Sequence, residues 1–128
     1  MFIGTSINES PVIAAKAAAA IEAGAMLAVT MGATGVSKAT AGAAAVGLLI
    51  AETGTVAAGD DVTVQVKDIG LWKTGAAVTA GALLASDANG KAITATSGKF
   101  IVAQALEAAT AADQVIHVQI IKAGYAQA

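Results

Sequence analysis

Few side chains in this chain could carry chemistry, and their spacing does not assemble a catalytic site. His117 is the single histidine, and a lone imidazole can serve as a general base or a metal ligand. It alternates with Ile116 and Val118, which places it on the solvent face of a strand. The chain has no cysteine, and its serines have no activating neighbour pattern, so a nucleophile–base–orienter set cannot be formed. The sequence predicts a protein that is not an enzyme.

Acidic residues suggest a calcium site, which the sequence does not support. Asp60-Asp61 could supply carboxylates, but calcium takes six or more oxygen ligands, and the matching segment later in the chain reads Asp113-Gln114. A turn before a strand explains Asp60-Asp61 better. Glu52 and Glu107 occupy matching positions and are expected to end strands in solvent. No Gly-x-x-x-x-Gly-Lys-Ser/Thr phosphate loop occurs. We predict no metal and no cofactor.

The charge pattern argues against nucleic acid and membranes as partners. The net charge is −2, and all seven basic residues are lysines scattered singly along the chain. Nucleic-acid binding favours a basic stripe with arginines and interleaved aromatic residues. The uncharged run from Ala39 to Ala51 is too short and too broken by glycine for a bilayer span of about 20 residues. The first residues lack the basic start of a signal peptide, so synthesis in the cytoplasm is expected.

Large apolar side chains are the best candidates for an interface, because aromatic residues dominate binding hot spots. Trp72 has two interpretations: a core residue where two lobes meet, or an interface anchor. Tyr125 occupies a similar place near the end of the chain. The first nine residues read as a terminal arm with apolar side chains. The candidate interface residues are Phe2, Ile3, Ile7, Trp72 and Tyr125.

An internal duplication organises the elements that would position these residues. The segment Ala57–Leu71 aligns without a gap with Ala111–Tyr125, and both contain a Val-Gln-Val/Ile core. Three more blocks recur in the same order with a spacing of about 55 residues, within the range of structural repeats. These pairs are Ala23–Leu27 with Ala80–Leu84, Gly35–Thr40 with Gly90–Thr94, and Val46–Glu52 with Ile101–Glu107.

Each repeat is predicted to be β-structure. Val62, Val64 and Val66 alternate with polar residues, as in a strand with one buried face. Asn89-Gly90 lies between Leu83-Leu84 and Ile93, which is a hairpin signal. The fold class is therefore mainly β, a small β-barrel or β-sandwich-like domain built from two repeated units.

The start of the chain allows either a short helix or an extended arm that orders only against a neighbour. Ser10 suits an N-cap, Pro11 the first turn and Gly24 a stop, and the alanines between them have high helix propensity, which favours a helix over Pro11–Ala23. The predicted organisation is an arm or short helix in residues 1–22, a first β repeat in 23–72 and a second in 73–128. The three form one compact domain.

The apolar content is high, but many of the apolar side chains are small. Hydrophobic residues make up 56% of the chain, yet aromatic residues only 3%, and much of the remainder is alanine, which buries little surface. A monomer with so thin a core would be marginal. Burial against partner proteins is therefore expected to supply part of the stability.

The second repeat resembles a known family. Ala80–Leu84, Asp87–Lys91, Val102–Ala109 and Asp113–Ile120 give an Ala-Gly-x-x-Leu strand, a turn ending in Gly-Lys, an apolar strand with an alanine-rich turn, and a closing Val-x-Val/Ile strand. This order is similar to that of the capsid decoration, or cement, proteins of tailed bacteriophages, including relatives of the lambda head-decoration group. The chain departs from the lambda group in its clear duplication and its long alanine segment.

The resemblance implies a structural virion protein on the outer capsid surface. It would bind the major capsid protein, bridge neighbouring subunits, and form a homo-oligomer, with a trimer favoured and a dimer as the alternative. Two other classes stay open: another structural phage component such as a fibre or tail protein, and a lipoyl-like carrier module. The carrier would need an exposed lysine at a tight turn, which Glu52–Gly54 lacks.

Overall fold

The structure is a computed structural model that describes residues 10–22, 24–50 and 54–127. This part of the chain forms ten β-strands and contains no helix, which confirms the mainly β class. The strands are β1 (Val12–Lys16), β2 (Ala28–Gly32), β3 (Gly35–Lys38), β4 (Gly47–Ile50), β5 (Asp61–Gln65), β6 (Asp68–Lys73), β7 (Leu83–Ser86), β8 (Ala92–Thr94), β9 (Phe100–Ala105) and β10 (Val115–Tyr125). Accordingly, the described residues offer no helical segment that could cross a membrane.

The strands form two five-stranded antiparallel sheets with the same internal order. The first sheet runs β1-β5-β4-β2-β3, and the second runs β6-β10-β9-β7-β8. We call β1–β5 the first half and β6–β10 the second half. Each sheet curls until the residue after its first strand bridges its last strand, at Ala17–Val36 and at Thr74–Ala92. The curled sheets are sandwich-like and do not close into barrels, so the sandwich alternative is the one observed.

The two sheets have the same strand order, as two copies of one duplicated unit would have. The duplication itself stays a prediction. The predicted division into residues 1–22, 23–72 and 73–128 stays a prediction as well. Sheet pairing places β6, which spans the 72/73 boundary, in the second sheet beside β10.

Alternating side chains explain β5 and β10, the second strand of each sheet. In β5, Val62 and Val64 are buried while Asp61 and Thr63 are exposed. The same alternation continues along β10, whose buried residues are Ile116, Val118 and Ile120. One face of each strand therefore packs into a core, as the period-two pattern predicts.

The predicted hairpin at Asn89-Gly90 is confirmed. Strands β7 and β8 pair antiparallel on either side of this turn. Asp87 Oδ1 accepts hydrogen bonds from the backbone N–H groups of Asn89 and Lys91, at 2.8 and 2.9 Å. Gly90 has a φ of 77°, a left-handed conformation that glycine adopts without steric cost. The Asp and the Gly together fix this turn.

The predicted helix over Pro11–Ala23 is wrong. Residues 12–16 form β1, which pairs along its whole length with β5 of the same chain. The competing prediction, an arm that orders only against a neighbour, also differs from this intrachain pairing. Val12 and Ile13 are β-branched and favour a strand, and the β5 edge offers five consecutive partners. Tertiary pairing therefore overrides the helix propensity of the alanines.

Two apolar clusters form the interior, and one of them spans both halves. The first cluster lies within the first half, around Ile21, Val29 and Leu49. The second is centred on residues of the second half but includes four from the first. These four are Ala28, Ala39, Ala45 and Leu48. The halves thus share a core and are not two independently packed domains.

Trp72 lies at this shared core and is fully buried. Its indole Nε1–H donates to the carbonyl oxygen of Gly90 at 2.9 Å. The same oxygen accepts the backbone N–H of Ala28, in the first half, at 2.8 Å. A buried indole N–H normally requires such a partner. One carbonyl therefore connects the largest core side chain to both sheets.

Candidate protein-binding surface

His117 lies on the exposed face of β10, as the sequence predicts. Its Nδ1 is 2.5 Å from Glu107 Oε2, and the same oxygen accepts the backbone N–H of His117 at 2.8 Å. The backbone N–H, and then the imidazole, hold the pKa of the Glu107 carboxyl below its usual range. The pair joins two surface residues with most of the imidazole in solvent. Sequence reasoning missed this contact, because nothing in the spacing of the two residues indicates it.

The acidic pair Asp60-Asp61 performs the turn role that was predicted. Asp60 Oδ2 accepts the backbone N–H of Ala57 at 2.9 Å, which closes the turn before β5. Asp61 pairs instead with Lys16 across the β1–β5 ladder, at 2.7 Å. Within the described ranges, no three acidic, histidine or cysteine side chains group as a metal site would require.

The predicted interface residues separate into three groups. Phe2, Ile3 and Ile7 lie outside the described residues. Trp72 is fully buried, in agreement with the core interpretation, and a side chain without exposure can contact no partner in the folded chain. Tyr125 is 60% exposed and lies edge-on against Phe100, with ring centroids 5.4 Å apart. Of the described candidates, Tyr125 alone is available on the surface.

A larger apolar surface lies on the outward side of the second sheet, and sequence reasoning missed it. Among the described residues, nine large hydrophobic side chains are exposed, and five of them share this side. We call these five residues the apolar sheet face. They are Ile69, Leu71, Leu83, Leu106 and Val115.

Strand register brings these residues together from four different segments. One row crosses the sheet through Ile69, Gln119, Gln104 and Leu83, each opposite the next. In the adjoining row Leu71 lies opposite His117, whose carbonyl accepts the backbone N–H of Leu106. The alternation of a strand sends all of these side chains to one side. Because they are distant in sequence, only the paired sheet makes the surface visible.

A groove of about 340 Å³ adjoins the apolar sheet face. It is lined by Met26, β4 and Gln65 of the first half and by β6 and His117 of the second. The lining side chains are mostly apolar, with Gln65 and His117 as the polar exceptions. The Gln65 Nε2 donates to the Ile69 carbonyl at 2.8 Å. This groove lies at the lower end of the volumes of small-molecule sites, about 300–1,000 Å³. Its lining suits apolar side chains and offers no catalytic set.

One protein family matches most of the chain. The model of the phage cement protein family matches residues 7–120, so the chain belongs to the phage cement proteins. No curated protein sequence matches the chain.

Among solved structures, the chain is similar to the N-terminal base of the head fibre protein gp8.5 of bacteriophage phi29. The two are 18% identical and superpose with a TM-score of 0.65, over 91% of this chain and 98% of that one. At this identity the likeness concerns the fold.

Proposed function

We propose that this protein decorates the outer surface of a phage capsid, where it binds the major capsid protein and stabilises contacts between neighbouring subunits. The observation that carries the proposal is the family match over residues 7–120, which covers most of the chain. The role is structural, requires no cofactor, and is not enzymatic. The protein would be made in the host cytoplasm and act in the virion.

The exposed apolar surface supports this role. A soluble monomer rarely exposes large contiguous apolar patches, and such patches mark protein interfaces. Here Tyr125 with Phe100 forms one exposed site, and the apolar sheet face forms another. A decoration protein that contacts both the shell and copies of itself needs at least two such surfaces. We assign Tyr125 and the arm residues Phe2, Ile3 and Ile7 to the shell contact.

We further propose that the protein acts as a homo-oligomer, with a trimer favoured over a dimer. A thin, alanine-rich core gains stability from additional burial in an assembly. Several copies held together also multiply weak contacts with a lattice of identical subunits, because each further contact forms at high effective concentration.

Co-sedimentation with purified capsids tests the proposal. The wild-type protein is expected to pellet with expanded capsids and to raise the temperature at which they disrupt. Tyr125→Ser removes an exposed aromatic anchor and is expected to weaken pelleting about tenfold or more. Ala112→Ser, in an exposed turn, serves as the control. A protein that pellets with no maturation state of the capsid would contradict the proposal.

A second candidate function is a base that carries a fibre on the head. It is favoured by the fold likeness to the phi29 head fibre base, whose chain is covered almost completely. A fibre base would bind capsids without raising their disruption temperature. The temperature measurement therefore distinguishes the two functions.

A further inference from the structure

The two halves provide an internal comparison, because each strand of the first has a counterpart in the second. The second strand of each sheet carries a glutamine at the same register position, Gln65 on β5 and Gln119 on β10. Each glutamine belongs to a row that crosses four strands. In the first half the row is Val12, Gln65, Leu48 and Ala28. In the second half it is Ile69, Gln119, Gln104 and Leu83.

The row of the first half is largely covered by residues of the second half. Leu48 and Ala28 are 1% and 0% exposed and belong to the cluster that contains Trp72. The Ala28 N–H donates to the carbonyl of Gly90, which lies in the β7–β8 turn. Gln65 is held by its bond to the Ile69 carbonyl. The β7–β8 turn and β6 are therefore the covering elements.

In the second half the same row lies open, although both of its ends carry larger apolar side chains than in the first half. Gln104, in place of Leu48, is the one exchange in the row toward a polar residue. Leu83 stands where the first half has Ala28, and it is 42% exposed. Ile69 stands in place of Val12 and is 57% exposed. In the adjoining rows, Leu71 and Val115 occupy the positions of Ala14 and Asp61. If this surface stayed in contact with water, its side chains would be expected to be more polar than the matching side chains of the first half.

The covering element also has an open counterpart. Ala92 bridges Thr74 as Val36 bridges Ala17, so the β2–β3 turn at Thr34 corresponds to the β7–β8 turn at Gly90. Gly90 is buried against the first half, whereas Thr34 is exposed. Met31, on the same hairpin, is 50% exposed. A single chain thus carries an uncovered row and an unused covering hairpin.

We infer that the apolar sheet face is covered by a second copy of this chain, which docks its β2–β3 hairpin there as the β7–β8 hairpin docks on the first half. The contact joins two different surfaces, so it repeats head to tail, and in the proposed trimer three such contacts close a ring. The inference specifies the self-association surface within the proposed homo-oligomer, and testing it requires no capsids.

Two variants test the two sides of the contact separately. Leu83→Lys places a charge in the open row, and Met31→Lys places one on the covering hairpin. Each is expected to raise the dissociation constant for self-association about tenfold or more, so that light scattering reports monomers of 12.3 kDa. Ala112→Lys adds the same charge in an exposed turn and is expected to keep the wild-type mass. Circular dichroism verifies that all three variants are folded.

Mixing the two variants gives the decisive measurement. Met31→Lys retains an intact row and Leu83→Lys retains an intact hairpin, so an equimolar mixture is expected to form a one-to-one complex that neither variant forms alone. Absence of that complex would overturn the inference. So would a wild-type protein that stays monomeric at high concentration, or a Leu83→Lys variant with the wild-type mass. Loss of capsid pelleting by the wild type would overturn the proposed function instead.

Discussion

Trp72 is the residue on which the shared core depends most. Replacing it with phenylalanine removes the Nε1–H donor and part of the indole volume, while Gly90 keeps its bond from Ala28. We expect a loss of about 1–3 kcal/mol in the free energy of unfolding. Urea unfolding followed by circular dichroism measures it, since the variant has no tryptophan. Ala112→Ser, in an exposed turn, should change stability by no more than about 0.5 kcal/mol.

Gly90 allows conformational strain to be separated from steric contact. An added Cβ would lie 2.9 Å from the Ala28 carbonyl oxygen, and φ is 77°. At Gly98 φ is 81°, but an added Cβ would meet nothing within 4 Å. Gly98→Ala should therefore cost about 1 kcal/mol from backbone conformation alone, and Gly90→Ala should cost clearly more. Equal losses in urea unfolding would show that the turn and the first half do not touch.

The Glu107–His117 pair predicts how stability changes with pH. The pKa of Glu107 is lowered in the folded protein, so its contribution is present above the ordinary value of 4.5 and is lost as the pH falls through the lowered value. Glu107→Gln should reduce the slope of stability against pH below 4.5. Thermal unfolding between pH 6 and pH 2 measures the slope, and an unchanged slope would contradict the pairing.

At the scale of elements, the first strand shows where sequence reasoning failed. The β5 and β10 strands could be predicted because valine and isoleucine alternate with polar residues. Pro11–Ala23 could not, because alanine carries no period and its helix propensity is high. The β1 conformation is imposed by the β5 edge, which lies 45 or more residues away in sequence. No local pattern could reveal that pairing.

A strand and a helix at this position predict changes in stability of opposite sign for the same substitution. Ala14 is exposed on β1 and lies opposite Thr63. Ala14→Thr should raise stability by up to about 1 kcal/mol, because β-branched residues favour a half-exposed strand. In a helix the same change would lower stability. Urea unfolding of this variant distinguishes the two conformations directly.

The candidate interface illustrates the same limit. Tyr125 could be predicted from its residue type, and it is exposed. The apolar sheet face could not, because Leu83 and Leu71 look like core residues until the register assigns them to the outer side. Trp72 has the residue type of an interface anchor but is buried. Residue type therefore indicated candidates, and only the paired strands showed which side each one occupies.

For the whole molecule, the shared cluster predicts that the halves unfold together. Four first-half residues pack in the core of the second half, so neither half keeps its burial when the other is lost. Calorimetry should show a single transition whose calorimetric and van't Hoff enthalpies agree. A fragment of residues 1–66 should remain unfolded. Two separate transitions, or a folded fragment, would mean that the halves are independent domains.

The double hydrogen bond at the Gly90 carbonyl constrains how the sequence can drift. A change in the β7–β8 turn must suit the indole of Trp72 and the backbone of Ala28 at once, so two distant segments limit a single position. Within the described chain the carbonyl of the matching turn residue Thr34 accepts no such pair of donors, and under the inference above this turn is constrained by a second copy instead. Natural variants should therefore diverge less at residues 89–90 than at Ala112, which lies in an exposed turn outside both hairpins.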